Sequence, residues 1–420
     1  MNIEIINIGD ELLIGQVINT NSTWMSHELN KAGFNVSRII SVGDNESDIL
    51  NVLKESTERS QIVLITGGLG PTPDDITMQT LCKFFNTRQV FNEEIYKDLL
   101  KMLKKRKISI NQLTKEQAFV PENCEVIRNS VGTAPVLWFN HSEKIIASMP
   151  GVPFEMQYAM SVNIIPRLIK MFKTELIIHQ TVNIFGIPES LLAEKISEWE
   201  TNLPPFIKLA YLPEYGKIRL RLTATGNDKN TLEAAIFENI KMLFPLIADN
   251  IYGFRDETVQ EMLLRFLKNY NGTISTAESC TGGYISHLIT SVPGASECFK
   301  GSIVAYSNQL KTNLLDIKEK DLLKYGAVSK KVVEQMALSV CKKMGTDYAI
   351  ATSGIAGPTG GSPQKPTGTV WIAWAGKGKV VSEKFQMGDD RQRTIIRTAE
   401  TAIIKMKLMI ELDHTDLSSE

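Results

Sequence analysis

Short apolar runs alternate with amphipathic stretches through the first part of the chain. The runs at 3–8, 36–42 and 61–66 are rich in Ile and Val, as expected of strands. Between them, 21–33 and 48–59 repeat apolar residues at helical spacing. Strands that alternate with helices predict a mostly parallel, doubly wound α/β sheet, whose ligands bind beyond the carboxyl ends of the strands.

The pattern changes after residue 168 and changes again near residue 254. The middle part has a β-α-β-β-α order, which predicts a small α+β domain. The last part opens with a helix at 258–270, continues with strands and Gly-rich turns, and closes on a long amphipathic helix. We therefore predict three domains, at residues 1–167, 168–253 and 254–420.

Composition narrows the class of protein. The 420 residues carry 46 Lys and Arg against 47 Asp and Glu. This balance gives no sign of the positive charge that proteins binding nucleic acid or an anionic membrane usually carry. The amino terminus has no basic segment typical of a signal peptide, and no apolar run approaches the roughly 18 residues of a membrane span. Five scattered cysteines without a CxxC pair indicate a reducing, cytoplasmic compartment.

One turn near residue 279 combines a hydroxyl with small residues. The sequence Thr276-Ala-Glu-Ser-Cys-Thr-Gly-Gly283 follows a strand-like run and precedes an amphipathic segment. A strand, tight turn and helix start would expose Ser279 beside free N–H groups at the helix amino terminus, which suit an oxyanion or a phosphate. Ser279 is our candidate nucleophile. The alternative is a Ser or Thr helix cap followed by a glycine turn.

A serine nucleophile needs a base, and no histidine lies near Ser279 in a motif-like setting. A lysine whose pKa is lowered by desolvation can serve. Lys311, in the segment Tyr306-Ser-Asn-Gln-Leu-Lys311, is our candidate, with a solvated surface lysine as the alternative. A Gly-rich loop at 351–361 also follows a strand-like run.

A second Gly-rich loop, Gly67-Gly-Leu-Gly-Pro-Thr-Pro-Asp-Asp-Ile-Thr77, follows a strand in the first domain. Its three glycines would let the backbone approach a phosphate closely. Asp74 and Asp75, with Asp10 and Glu11 after the first strand, suggest Mg²⁺ or a similar hard cation. The alternative is that these four acids are helix caps.

The turn AESCTGG, the segment YSNxxK and the loop SGIAGPTGG together resemble the nicotinamide-nucleotide amidase domain of the CinA family, over about 257–412. The resemblance implies hydrolysis of nicotinamide mononucleotide to nicotinic acid mononucleotide and ammonia, without a metal. Ser279 would attack the carboxamide, Lys311 would accept and return the proton, and backbone N–H groups after Ser279 would hold the oxyanion. Tyr306 and Asn308 would orient the pair. The expected substrate contacts are Thr281, Gly282, Gly283, Gly357, Thr359, Gly360 and Arg391, although Arg391 fits a surface helix start equally well.

The motifs GDELLIGQVINTN, TGGLGPTPDDIT, NSVGTAPVLW and MPGVPFEM resemble the molybdopterin-binding-like domain at the amino terminus of the same family. That resemblance implies metal-dependent cleavage of ADP-ribose to AMP and ribose 5-phosphate. Asp74, Asp75, Asp10 and Glu11 would handle the metal, and the expected ligand contacts are Gly67, Gly68, Gly70, Thr72, Asn19, Asn21, Gly132, Thr133 and Pro135. The chain departs from the family at Ser130, where Pro is usual, and at Val136, where Gly is usual. We expect Val136 to crowd the ligand or to change its loop.

The resemblance implies two three-layer α/β domains joined by a small KH-like α+β domain. KH domains grip nucleic acid through a GxxG loop, and none occurs between 174 and 249. We therefore interpret the small domain as a spacer or a dimerisation element in a homodimer. The leading hypothesis is a bifunctional pyridine-nucleotide salvage enzyme. Molybdopterin binding and a non-enzymatic competence or DNA-damage role are the alternatives.

Overall fold

The computed structural model describes residues 2–106 and 115–415. These residues form two compact units. The first unit contains 1–178 and 224–234, and the second contains 179–223 and 235–420. The predicted domain boundaries after 167 and 253 stay predictions.

The first unit is built around a sheet of six strands in the order β2-β1-β3-β8-β7-β6. The pairs β2–β1, β1–β3 and β3–β8 are parallel, whereas β8–β7 and β7–β6 are antiparallel, so the predicted mostly parallel sheet is confirmed. Its strands, with the separate pair β4 and β5, are β1 (Ile3–Ile8), β2 (Val36–Val42), β3 (Ile62–Thr66), β4 (Gln89–Phe91), β5 (Phe119–Pro121), β6 (Glu125–Ile127), β7 (Val136–His141) and β8 (Lys144–Met149). The helices are α1 (Asp10–Leu13), α2 (Thr20–Lys31), α3 (Glu46–Arg59), α4 (Thr77–Phe84), α5 (Glu93–Arg106), α6 (Pro153–Ala159) and α7 (Ile165–Met171), with a π-helical turn at Met160–Ile164.

Helices cover both faces of this sheet. One apolar cluster joins β1, β3 and β8 to α2 and α6, and a second joins the opposite side chains of the same strands to α3 and α4. Every residue of β1 and β3 is buried, which explains why both strands are rich in Ile, Val and Leu, although β1 also buries Glu4 and Asn7. Asn7 of β1 pairs with Thr66 of β3, so the loops that follow these two strands lie side by side.

The second unit contains a small sheet in the order β10-β11-β9-β12 and a larger one in the order β14-β13-β15-β16-β17. Its strands are β9 (Leu176–Phe185), β10 (Ile207–Glu214), β11 (Lys217–Gly226), β12 (Ile251–Gly253), β13 (Ile274–Glu278), β14 (Phe299–Val304), β15 (Tyr348–Gly354), β16 (Thr369–Gly376) and β17 (Lys379–Gln386). The helices are α8 (Glu189–Thr201), α9 (Lys229–Ile247), α10 (Val259–Asn269), α11 (Tyr284–Thr290), α12 (Asn308–Leu315), α13 (Glu319–Tyr325), α14 (Lys330–Met344) and α15 (Arg391–Thr415), with 3-10 turns at Ala248–Asn250 and Ala295–Glu297. The β-α-β-β-α order of the small sheet matches the predicted α+β domain.

The larger sheet is the middle layer of three. Helices α10, α11 and α15 share one apolar cluster with its first face, and α12, α13 and α14 share another with its second face. Strand β13 lies between β14 and β15, parallel to both. Its last residue, Glu278, pairs with Val304 and with Thr352, so three strands end at one edge and their loops meet there.

Within the described residues, no helix is both long enough and apolar enough to cross a membrane.

Candidate functional site

Ser279 and Lys311 meet at the carboxyl edge of the larger sheet. The Nζ atom of Lys311 lies 2.9 Å from the Oγ atom of Ser279. Lys311 is 1 % exposed and Ser279 is 8 % exposed, so the alternative of a solvated surface lysine is wrong. The first turn of α12, capped by the Ser307 side chain, carries Lys311 back toward the end of β13. Two residues separated by 32 positions therefore form a buried hydroxyl–amine pair.

The surroundings of Lys311 suit an uncharged amine. Its Nζ atom also lies 2.8 Å from the carbonyl oxygen of Ala305 and 3.5 Å from that of Tyr306. A neutral amine has two N–H donors for these carbonyls and one lone pair for the Ser279 hydroxyl. Burial lowers the pKa of Lys311 below its ordinary 10.5. The ion pairs found among the described residues do not include Lys311, so no carboxylate offsets this effect.

The turn after Ser279 leaves two backbone donors unused. The Ser279 N–H donates to the carbonyl of Thr352 at 3.0 Å, and the Gly282 N–H donates to the carbonyl of Ser279 at 3.1 Å. In the part of the chain that is described, the N–H groups of Cys280 and Thr281 donate to no other residue. These two amides follow Ser279 directly, which is the position expected for the oxyanion donors.

The amides at the start of α11 are not free, contrary to the sequence-based expectation. The carboxylate of Glu278 accepts the N–H groups of Gly283 at 3.0 Å, Ile285 at 3.0 Å and Ser286 at 2.9 Å. The predicted substrate contacts Gly282 and Gly283 therefore use their N–H groups within the turn. The reason is that a buried acid one residue before Ser279 caps the helix first.

Tyr306 and Asn308 do not orient the pair through their side chains. The Tyr306 hydroxyl accepts a hydrogen bond from Nη2 of Arg391 at 3.0 Å, and only its backbone carbonyl faces Lys311. Asn308 is exposed at the first position of α12. Arg391 also donates to the carbonyl of Gly357 at 3.0 Å, so it links the Tyr306 side chain to the Gly-rich loop.

The Gly-rich loop is held in place from two sides. Lys365 donates to the carbonyls of Tyr325 at 3.0 Å and Val328 at 2.7 Å. Gly357 has a φ of +88°, and a Cβ atom there would lie 2.5 Å from the Thr367 side chain, so only glycine fits. Thr359 and Gly360 are exposed on the same loop, whereas Thr281 is buried and lies 2.8 Å from Thr352 through their hydroxyls.

Cys280 is buried beside the pair and does not compete with Ser279. Burial raises the pKa of the Cys280 thiol to about 12. The thiolate is the nucleophilic form of cysteine, so this thiol is unreactive at neutral pH.

The first unit has its own cavity, of about 550 Å³, at the carboxyl ends of β1 and β3. Nine of the predicted residues line it: Glu11, Asn19, Asn21, Gly67, Gly68, Gly70, Asp74, Asp75 and Thr133. Asp10, Thr72, Gly132 and Pro135 do not line this cavity. Gly132 and Pro135 border a smaller neighbouring space together with Thr133 and α5.

The glycines of the 67–77 loop are required by close packing. A Cβ atom at Gly67 would lie 2.1 Å from the carbonyl oxygen of Ile8, and one at Gly68 would lie 2.1 Å from Oγ1 of Thr77. Both glycines have positive φ angles, +111° and +63°. The loop after β3 therefore lies directly on the end of β1, and its backbone forms the floor of the cavity.

Acidic side chains face this cavity, but they are not the predicted set. The Asp10 carboxylate accepts the N–H of Asp44 at 3.1 Å, and the Asp75 carboxylate accepts the N–H of Thr72 at 3.0 Å. The Asp10 carboxylate thus links two loops, and the Asp75 carboxylate closes a turn. Glu11, Asp74 and Asp75 line the cavity whereas Asp10 does not, so the predicted set of four acids is corrected at Asp10. In residues 2–106 and 115–415, no three His, Cys, Asp or Glu side chains are placed to hold one ion.

Asp44 is an acid of this cavity that the sequence analysis missed. It lines the cavity with Glu11 and Asp74. Its pKa is raised first by burial and then by the charges of Asp10, Glu11 and Asp74. A cation would relieve that repulsion, and Mg²⁺ commonly uses one or two carboxylates together with substrate phosphates. Because no three described acids converge on one point, the cavity fits a cation that is held by one or two of the carboxylates of Glu11, Asp44 and Asp74 and is shared with a phosphate.

A loop anchored by Asn129 was also missed. Its side-chain oxygen accepts the N–H groups of Val131 at 3.1 Å and Gly132 at 3.0 Å, and its amide donates to Glu155 at 2.7 Å. A Cβ atom at Gly132 would lie 1.7 Å from a Glu155 oxygen, so glycine is needed there. Val136 is 1 % exposed and packs in the core. The expectation that it would crowd the ligand is therefore wrong.

Comparison with known proteins assigns the chain to a family. Three family models match: the probable molybdopterin binding domain at residues 4–170, the damage-inducible protein CinA KH domain at 179–253, and the CinA C-terminal domain at 256–410. A CinA-like protein of Cytophaga hutchinsonii is 47 % identical over 94 % of this chain and 95 % of its own length. The chain belongs to the CinA family.

A second relative agrees with this assignment. A CinA-like protein of Flavobacterium psychrophilum is 45 % identical over 96 % of this chain and 97 % of its own length. Among solved structures, the competence/damage inducible protein CihA from Agrobacterium tumefaciens is 33 % identical, with 36 % of this chain and 95 % of that chain covered and a TM-score of 0.35. The CinA protein from Thermoplasma acidophilum is 30 % identical, with 40 % and 96 % covered and a TM-score of 0.36.

The CinA C-terminal domain thus contains the Ser279–Lys311 pair, and the molybdopterin-binding domain contains the acidic cavity. The main missed residue of the C-terminal domain is Glu278. Its place inside the AESCTGG turn was the available signal, because a carboxylate just before a helix start is a common cap.

Proposed function

We propose that the C-terminal domain is an amidohydrolase that converts nicotinamide mononucleotide to nicotinic acid mononucleotide and ammonia. The observation that carries the proposal is the 2.9 Å contact between a buried amine of lowered pKa and a buried hydroxyl. Such a pair can activate serine without histidine, because the neutral amine accepts the hydroxyl proton.

The reaction would proceed in two halves. The Oγ atom of Ser279 forms a bond to the carboxamide carbon while its proton passes to Lys311, and the carbonyl oxygen becomes an oxyanion that accepts the N–H groups of Cys280 and Thr281. Lys311 then returns the proton to the nitrogen as the C–N bond breaks and ammonia leaves. Water attacks the resulting ester with Lys311 again as base, which releases the acid and restores the Ser279 hydroxyl.

The substrate's phosphate would bind away from the start of α11, because Glu278 already occupies those amides. Arg391 is a cation with a defined position, between the Tyr306 hydroxyl and the carbonyl of Gly357. Guanidinium groups bind phosphate oxygens in a fork geometry. We assign the phosphate to Arg391 and to the loop that carries Thr359 and Gly360, with Thr281 nearer the reacting carbon.

Replacing the nucleophile tests the proposal. We expect Ser279→Ala to abolish ammonia release from nicotinamide mononucleotide, because no other nucleophile lies at the pair, and to leave the fold intact by circular dichroism. Full ammonia release by this variant would end the proposal.

We further propose that the molybdopterin-binding domain cleaves ADP-ribose to AMP and ribose 5-phosphate with a divalent cation such as Mg²⁺. The supporting observation is the cavity of about 550 Å³ that combines a Gly-rich floor with clustered carboxylates. One or two of the carboxylates of Glu11, Asp44 and Asp74 would hold the cation together with the substrate's phosphates. When bound, the cation would neutralise charge that develops on the phosphate oxygens. Asn19 and Asn21 also line the cavity, where they would contact a ribose.

The two activities together would make a cytoplasmic enzyme of pyridine-nucleotide salvage, working as a homodimer. Five cysteines without disulfides support the compartment. Molybdopterin binding and a competence or DNA-damage role are the competing functions. Titration of the protein with ADP-ribose and with molybdopterin distinguishes ADP-ribose cleavage from molybdopterin binding. DNA binding that is retained at physiological salt would favour the competence or DNA-damage role.

A further inference from the structure

Glu278 is a buried acid directly before the candidate nucleophile. It is the last residue of β13, and its exposed fraction is 0 %. One carboxylate oxygen accepts the N–H groups of Gly283 and Ile285, both at 3.0 Å. The other accepts the N–H of Ser286 at 2.9 Å and its hydroxyl at 2.8 Å. The Thr276 hydroxyl donates to the same oxygen as Ser286, at 3.4 Å. Five donors on two oxygens call for a group that only accepts, which is the carboxylate.

These bonds hold both ends of the turn that contains Ser279. At the near end, the N–H of Ala305 donates to the backbone carbonyl of Glu278 at 2.9 Å. At the far end, the Glu278 side chain reaches over residues 279–282 and holds the first turn of α11. The N–H groups of Cys280 and Thr281 lie between these fixed ends and take no part in the network. The direction in which these two N–H groups point therefore depends on how far the Glu278 side chain holds the start of α11 from the end of β13.

We propose that Glu278 is a positioning residue, which aims the Cys280 and Thr281 amides at the oxyanion of the reaction. The proposal rests on the amidohydrolase function, since an oxyanion forms only if Ser279 attacks a carbonyl group. In this proposal, Glu278 contacts neither the substrate nor the proton that passes between Ser279 and Lys311. It acts by holding the amides at the start of α11, so that the turn keeps the conformation in which the Cys280 and Thr281 N–H groups stay free.

The charge state of this side chain matters as much as its shape. Glu278→Gln keeps the size but replaces one oxygen with an NH₂ group. Whichever way the amide is turned, that NH₂ group faces either the Gly283 and Ile285 donors or the Ser286 donors. At least one buried backbone donor then loses its acceptor, which is costly, whereas the Ser286 hydroxyl keeps the Gly283 carbonyl at 2.9 Å. We expect the turn to shift to satisfy the lost donor, and the two oxyanion donors to shift with it.

The test compares Glu278→Gln with a matched cap. Glu261 also caps a helix, α10, by accepting the N–H of Thr258 at 2.8 Å, and it lies in the same unit away from Ser279. With nicotinamide mononucleotide, we expect Glu278→Gln to lower kcat by about 10²-fold, the typical effect of losing one oxyanion donor, and to leave KM within about threefold. Glu261→Gln should leave both constants within about twofold.

A thioamide substrate distinguishes positioning from general damage. Sulfur accepts hydrogen bonds poorly, so an enzyme with a formed oxyanion hole prefers the carboxamide over the thioamide of the same nucleotide. We expect this preference in kcat/KM to fall about tenfold in Glu278→Gln and to stay constant in Glu261→Gln. An unchanged preference, with a loss of rate that follows only the loss of folded protein, would overturn the proposal.

A readout without the nucleotide separates this inference from the proposed function. An alkyl fluorophosphonate modifies an activated serine and places a phosphoryl oxygen in the oxyanion hole, and mass spectrometry detects the adduct on Ser279. We expect Glu278→Gln to react about tenfold more slowly than the parent and Glu261→Gln to react equally fast. If the parent reacts with the probe but releases no ammonia, the proposed nucleotide substrate is wrong. The rates at which the probe modifies Ser279 in the parent and in the two variants then still decide the role of Glu278.

Ser286→Ala carries the test if Glu278→Gln does not fold. It removes one hydroxyl donor from the carboxylate and keeps the Ser286 N–H bond. We expect a smaller decrease in kcat, of about three- to tenfold, with a lower preference for the carboxamide. A rate and a preference equal to those of the parent would contradict the proposal.

Discussion

The two candidate sites of this protein differ in how complete they are. In the C-terminal domain, the chain itself supplies the proposed nucleophile, the proposed base and the two proposed oxyanion donors, and Lys311 is satisfied by Ser279 and two carbonyls. In the N-terminal domain, acids repel one another across a cavity of about 550 Å³. Under the proposed functions, the first site would need only its substrate, whereas the second would also need a cation to offset the repulsion between its acids.

Unpaired polar atoms show the same contrast. Asn7 and Asn21 both line the N-terminal cavity, and the Oδ1 atom of each is buried without a hydrogen-bond partner in the described residues. Buried acceptors are normally paired, so these two oxygens indicate places where a ligand hydroxyl or amine would donate. The amine of Lys311, in comparison, has no unused donor.

Removing the base should have the largest effect on the C-terminal site alone. Lys311→Met keeps an unbranched chain in a buried place but cannot accept a proton. We expect ammonia release from nicotinamide mononucleotide to fall by at least about 10³-fold, as for other members of a nucleophile–base pair. Cleavage of ADP-ribose by the same preparation is the internal control and should stay within about twofold. Equal losses in both activities would indicate unfolding instead.

Removing divalent cations should separate the sites in the opposite direction. With excess EDTA, we expect ADP-ribose cleavage to fall by about 10²-fold or more, because Glu11, Asp44 and Asp74 then repel the substrate's phosphates. Ammonia release should not change, and added Mg²⁺ should restore the lost activity. Loss of ammonia release with the chelator would show that the C-terminal site is not complete by itself.

Changing the neighbouring thiol should have the smallest effect. The pKa of Cys280 is raised to about 12, so its thiol stays protonated across the neutral range. We expect Cys280→Ala to keep ammonia release within about threefold, because the Cys280 contribution to the oxyanion is its backbone N–H. Iodoacetamide at pH 8 should modify Cys280 slowly in the parent. Rapid alkylation with parallel loss of activity would contradict this assignment.

The positions of both sites could be predicted because they follow from strand order. Apolar runs identify β1, β3, β13 and β15 as central strands, and residues that follow neighbouring parallel strands must meet at one sheet edge. That rule places the Gly67–Gly70 loop beside Gly9 and the Ser279 turn beside the start of α12. The sequence pattern made Lys311 a candidate base but left a solvated surface lysine as the alternative, because a lysine after a strand has no local sign of burial.

The hydrogen-bond partners within each site could not be predicted, because several neighbouring groups can form the same hydrogen bond and the sequence does not show which of them does. The Glu278 carboxylate accepts the helix N–H groups that a ligand was expected to bind. Arg391 donates to the Tyr306 hydroxyl, which was expected to face the Ser279–Lys311 pair. Asp10 and Asp75 bind nearby backbone N–H groups, as caps do. Each outcome depends on side-chain reach in three dimensions, which spacing along the sequence does not give.

The most direct test of the account is the ionisation of Lys311 itself. The full chain can be prepared with ¹³C- and ¹⁵N-labelled lysine, and the Lys311 signal is assigned as the one absent from Lys311→Met. Because burial lowers its pKa, we predict that this lysine loses its proton at a lower pH than the other lysines and that ammonia release rises over the same pH range. A Lys311 signal that stays charged up to its ordinary pKa near 10.5, in a protein that releases ammonia at neutral pH, would contradict the proposed mechanism.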